Sequence, residues 1–206
     1  MTLRISRVDG SVTLTIPRGV SEREAMAFAA EKQDWVLGHL SQQAEHILVG
    51  PGQSLTVSDV PLQLIQGTSR RLRVVGQVIE VPDPLDTGRR HLLAWLKEQA
   101  RAELVRASDL YSQKLGKPYT RLTLRDTRSR WGSCSSAGAL MYSWRLVLAP
   151  RFVLEYVAAH EVAHLAEMNH SPAFWHVVEQ LYGPHQEARV WLRHEGPHLH
   201  RYRFEA

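Results

Sequence analysis

The sequence predicts an α+β protein, and three observations carry that expectation. Short β-branched runs broken by glycine and proline occupy residues 54–82. Long stretches with apolar residues at helical spacing lie on either side of them. Strand-like runs then flank a polar loop, immediately ahead of a stretch at residues 152–165 that is apolar on almost every side, the pattern of a helix enclosed by protein.

The elements follow in order. Residues 3–8 and 11–16 read as two strands joined at Asp9-Gly10, a strong hairpin signal. Ser21-Glu22-Arg23-Glu24 forms a capping box that opens a helix carrying Ala25, Phe28, Ala29, Trp35, Val36 and Leu40 on its apolar side. That helix is expected to reach Ile47 and to stop at Gly50-Pro51-Gly52. Runs at residues 55–57, 62–65, 72–75 and 78–81 read as antiparallel strands. Pro82-Asp83-Pro84 marks the expected boundary between an N-terminal section, residues 1–84, and a second section, residues 85–206, the two forming one compact unit.

A long amphipathic helix is expected over residues 89–115, with Leu92, Leu96, Ala100, Leu104, Ala107 and Tyr111 down one face and Gly116-Lys117-Pro118 closing it. Residues 121–126 and 139–148 read as strands on either side of the polar loop. Pro150 suits a first helical position and starts the enclosed helix. That helix is expected to end near Met168, with Asn169 in the left-handed region and Ser171-Pro172 opening the next helix. A last helix, residues 185–194, precedes the tail.

At 206 residues and 44% hydrophobic content, the chain can bury a substantial core as one good-sized domain or two small ones. No run approaches the roughly 18 to 20 apolar residues that cross a bilayer, and the N-terminus lacks the pattern of a secretory signal, so a cytoplasmic protein without membrane contact is expected. Cys134 is the sole cysteine, which excludes an intrachain disulfide and a four-cysteine metal site. The net charge of +4 comes mostly from arginine and permits, without requiring, attraction to phosphates or acidic partners.

The chemistry concentrates in the enclosed helix. His160 and His164 are four residues apart and share one helical face, so both imidazoles can reach one metal ion. Glu161 can address a water at that ion as general base, the arrangement of zinc hydrolases. Burying His, Glu and His in an apolar helix is costly unless they are hydrogen-bonded or metal-bound. A metal-free His–Glu network is the bland alternative. His170 sits in the corner beyond the helix, where a side chain can fold back as a third ligand.

Several separated motifs agree in order and spacing: Arg130-Trp131-Gly132-Ser133-Cys134, Trp144-Arg145-Leu146 with Ala149-Pro150, His160-Glu161-x-x-His164-Leu165, and Asn169-His170-Ser171-x-x-Phe174-Trp175. Together they resemble the YgjP-like zinc metallopeptidases, relatives of the SprT and WLM groups, densely over residues 122–175 and more weakly before Gly88. The resemblance implies a zincin-like core, a small antiparallel or mixed sheet packed on the H-E-x-x-H helix, with a β-rich N-terminal section and helix. It implies Zn2+ held by His160, His164 and His170, with Glu161 as general base. Members usually carry a further Arg-rich strand ahead of the segment matching Leu3, which implies that Met1 is a late start. The spacing of His164 to His170 also equals that of the metzincins, but Glu167 stands where their pattern has glycine.

A carbonyl substrate would need help for its developing oxyanion, for which Arg130, Tyr142, Arg145 and His176 are the candidates. The strand at residues 139–148 could be the edge to which an extended peptide adds, or an interior core strand. Arg125, Arg128 and Arg130 could instead cradle a polyphosphate, which would make the protein a nucleoside triphosphate pyrophosphohydrolase using the same zinc centre, or could pair with Asp126 and the carboxylates of the enclosed helix. Peptide or protein and nucleotide are thus the two substrate classes, with nucleic acid less favoured. A binding module with a closed zinc site is a third reading. Cys134 reads as a small buried side chain rather than a fourth ligand, and His194, His198 and His200 as a His-rich tail rather than a second metal site.

Overall fold

The computed structural model describes residues 1–5, 10–41 and 46–205. Their contacts fall into two units, Met1–His46 and Ile47–Ala206. The division expected after Pro84 falls inside the second unit, where strands before it and helices after it share one core.

In the first unit, β1 (Thr2–Ile5) pairs antiparallel with β2 (Val12–Thr15), Leu3 opposite Leu14. Of the expected hairpin turn, Asp9 lies outside the described residues, while Gly10 takes a φ of 71°. Ser21 caps α1 (Glu22–Glu31) through the predicted box: the Glu24 amide donates to Ser21 Oγ at 3.3 Å and the Ser21 amide to Glu24 Oε2 at 2.9 Å. The single helix expected as far as Ile47 is instead two, α1 and α2 (Gln33–Ser41). The break falls at Lys32, whose amide is shared between the Phe28 and Ala29 carbonyls, a tightening of the last turn that no glycine or proline announces.

The second unit begins with β3 (Ile47–Leu48), so Ile47 is strand rather than helix. A four-stranded sheet follows from β4 (Ser54–Val57), β5 (Val60–Gln66), β6 (Arg73–Val75) and β7 (Val78–Val81), in the order β4-β5-β7-β6. Alternation puts Leu55, Val57, Leu62 and Leu64 inside. The two tight hairpins are antiparallel as expected, but β5 and β7 run parallel, because the β6–β7 hairpin docks on β5 through its second strand.

Helix α3 (Leu85–Leu115) starts four residues earlier than its apolar pattern predicts, buries the expected face from Leu92 to Tyr111, and closes on left-handed Gly116. It packs against the strands and against α4 (Arg151–Ala163), the enclosed helix. Between them a three-stranded mixed sheet is built from β8 (Arg121–Arg125), β9 (Gly132–Cys134) and β10 (Ala139–Ser143), with β10 in the centre, parallel to β8 and antiparallel to β9. The mixed sheet on the H-E-x-x-H helix implied by the resemblance is therefore present.

The strand expected over residues 139–148 ends at Ser143, and Trp144–Leu148 is a 3-10 turn buried on all sides. A continuous apolar run fits strand and buried helix equally well, and packing against α3 selects the latter. Helix α5 (Pro172–Leu181) begins at Ser171 as predicted, and α6 (Gln186–His194) leads through a 3-10 turn to β11 (Tyr202–Arg203), which pairs with β3. Among the described residues no helix is long and apolar enough to cross a membrane.

Candidate metal centre

Helix α4 carries His160, and His164, its C-cap residue, follows one turn on, the two ring centroids separated by 5.1 Å. The helix closes earlier than expected, at Ala163, because the Leu165 and Ala166 amides turn back to the Val162 and Ala163 carbonyls. Asn169 does not adopt the left-handed conformation. The tight turn brings His170 to within 5.0 Å of the His160 ring and 4.9 Å of the His164 ring. Phe174, fixed by the Ser171 cap of α5, stacks on His164 at 4.4 Å and meets His160 and His170 edge-on.

One nitrogen from each ring lies within 4.8 Å of the others, and His160 Nε2 and His170 Nε2 are 3.0 Å apart. The ring orientations are set from behind. His164 Nδ1 donates to the Glu167 carbonyl at 3.0 Å, and His160 Nδ1 faces the Tyr156 hydroxyl at 3.5 Å, which leaves the Nε2 lone pairs for a common ligand. Burial, reinforced by the neighbouring imidazoles, pushes His160 down to about 3 and lowers His164, so both are neutral near pH 7, the state a metal requires. Among the described residues these three histidines are the one group of three or more donors able to hold a metal ion.

Glu161 is buried against β9. A Cβ built on Gly132 would lie 2.5 Å from Glu161 Oε1, so the carboxylate occupies space that only glycine leaves open. Burial pushes the Glu161 carboxyl up to about 8, opposed by the charge of Arg130. A cavity of about 230 Å³ joins Glu161 to the histidines, with Gly132, Cys134 and Met168 among its walls. Burial and the nearby Glu161 raise the thiol of half-buried Cys134 to about 11.

Of the four expected oxyanion candidates, only Arg130 is close enough for its charge to act on Glu161. Tyr142 is fully buried, its hydroxyl paired with Ser108 at 3.0 Å. Arg145 is buried too, but as a brace: Nε and Nη2 donate to Asp126 at 2.6 and 3.0 Å, and Nη1 to the Leu199 and Tyr202 carbonyls. Burial pushes the Asp126 carboxyl up, yet these paired bonds outweigh it and hold it below its usual value. His176 is exposed and bonds to Gln180 one turn along α5. Asp126 thus pairs with Arg145. The edge strand beside the cavity is β9, and β10 takes the interior of the two positions open to it from sequence. The C-terminal histidines do not converge: His198 pairs with Glu195, and His200 is buried against Trp131. Sequence reasoning passed over Gly132 and Met168 as cavity walls; the glycine between Trp131 and Ser133 was the available signal.

Comparison with known proteins bears on this geometry. A search of curated proteins finds no match. Among solved structures, the chain is similar to the crystal structure of the metallopeptidase zymogen of Pyrococcus abyssi abylysin, at 20% identity over 47% of this chain and 95% of that one, with a TM-score of 0.37. The sequence also matches the YgjP-like, metallopeptidase domain over residues 1–195, nearly its whole length. The chain therefore belongs to the YgjP-like metallopeptidase family.

Proposed function

We propose that the protein is a zinc-dependent metallopeptidase that hydrolyses peptide bonds in chains laid along the β9 edge. The observation that carries this reading is the convergence of three imidazoles and a buried carboxylate on one cavity beside an edge strand. The donor set suits zinc: three ring nitrogens within 4.8 Å leave a tetrahedral ion a fourth position for water or substrate. His160, His164 and His170 would hold the ion, which supplies Lewis acidity to a carbonyl oxygen and lowers the pKa of water.

The chain's own residues do the rest. An extended peptide hydrogen-bonds to the free backbone edge of Gly132–Cys134, which sets the scissile carbonyl beside Glu161. Glu161 takes a proton from the attacking water and returns it to the leaving amine. Arg130 is the side chain placed to stabilise the oxyanion.

The test is Glu161→Gln, with metal content measured by mass spectrometry beside turnover of peptide and nucleoside triphosphate panels. The variant is expected to keep one zinc per chain and to lose at least about 10³-fold in peptide turnover. Unchanged turnover, or pyrophosphate release without peptide cleavage, would overturn the proposal.

A further inference from the structure

A second concavity, of about 440 Å³, lies across the mixed sheet and shares Ser133 and Cys134 with the metal cavity. Register assigns it to the outer face. Ala139 pairs with Arg121, Met141 with Thr123 and with Ser133, so these side chains share one side of the sheet. Leu140 and Tyr142, of opposite parity, turn inward to the core. The groove is flanked by Arg121, Arg125 and Arg130, all exposed, and contains no aspartate or glutamate. Among the described residues none of these three arginines has a salt-bridge partner within 4.0 Å.

Resting on the metallopeptidase reading, we propose that this groove binds an acidic stretch of the polypeptide substrate next to the bond that is cut, which makes Arg121 and Arg125 determinants of specificity. Arg121 and Arg125, with no carboxylate in the groove lining, concentrate positive charge there, and their forks match carboxylates. Arg121 and Arg125 are four residues apart on one face of β8. That is the spacing of side chains i and i+4 in an extended peptide, at roughly 3.3 Å per residue. Thr123 between them and Ser133 across the groove add hydroxyls for peptide groups. The lining contains no aromatic ring on which a nucleobase could stack, so the arginines favour an acidic polypeptide over a nucleic acid.

Binding can be read without turnover, using the full chain as Glu161→Gln or as wild type stripped of metal. The probes are a labelled ten-residue peptide alternating Glu with Ser and its Gln counterpart, followed by fluorescence anisotropy. The acidic peptide is expected to bind roughly ten-fold more tightly, with the advantage shrinking as salt rises. Arg121→Gln with Arg125→Gln should remove that preference, and Arg121→Glu with Arg125→Glu should transfer it to a Lys peptide. Equal affinity for the Glu and Gln peptides overturns the proposal, as does tighter binding of a single-stranded oligonucleotide or of tripolyphosphate. If the acidic peptide binds but the zinc-loaded wild type cleaves no peptide, the groove stands and the peptidase reading falls. If peptides are cleaved with no charge preference, the reverse holds.

Discussion

Gly132 and Glu161 show how one missing side chain can set up a site. The β9 backbone passes so close to α4 that an alanine Cβ would overlap the Glu161 carboxylate. Gly132→Ala should therefore displace Glu161 while leaving the three imidazoles in place. Given the proposed role of Glu161, kcat is expected to fall about 10²-fold with zinc content unchanged; steady-state kinetics with metal analysis of the same sample checks this. The four residues His160, Glu161, His164 and His170 could be picked out of the sequence, because i to i+4 spacing and a forced turn are local geometry. Whether Arg145 or Tyr142 faces the metal could not, since both have chemistry suited to a site. Their partners, Asp126 and Ser108, are 19 and 34 residues away.

Among the elements, α4 depends on a distant turn. Its N-cap, Pro150, has no side chain to accept a helix amide. Instead the Asp59 carboxylate accepts from the Arg151 amide, at 3.2 Å to each oxygen. Asp59 lies in the two-residue β4–β5 turn, where it and Ser58 take positive φ of 67° and 49°, as twisted hairpins require. Asp59→Ala should cost about 1 to 2 kcal/mol through loss of the cap and the strain of a left-handed alanine, while Asp59→Asn stays within about 0.5 kcal/mol. Urea denaturation of the two variants measures the difference. The sequence pattern located most helices and strands of the second unit, but it left β10 open between an edge and an interior position and ran it on through residue 148. Strand order is a matter of long-range pairing, and alternation within one strand does not encode it.

For the second unit as a whole, the C-terminal segment is tied to the polar loop before β9. Arg145 links Asp126 to the carbonyls of Leu199 and Tyr202, and His200 packs on Trp131 at 5.3 Å. Burial, with Arg145 nearby, drives His200 down to about 4 from 6.5, partly countered by Asp126. The unfolded chain protonates near 6.5 and the folded chain does not, so this contribution to stability is complete above pH 6.5 and is lost as pH falls toward 4. Between pH 7 and pH 5, wild type should lose about 2 kcal/mol more than His200→Gln at equal metal content, measured by urea denaturation. An equal loss in both would mean that His200 titrates normally. By itself the sequence picked out the three histidines that converge, the enclosed helix and the α+β class, because local periodicity and residue chemistry suffice for them. Only the tertiary structure decided that β9 is the open edge, that Arg145 is a brace and that Arg121 and Arg125 face one groove. Those facts depend on which strands pair and which charges meet across the fold, and neither is a property of neighbours in sequence.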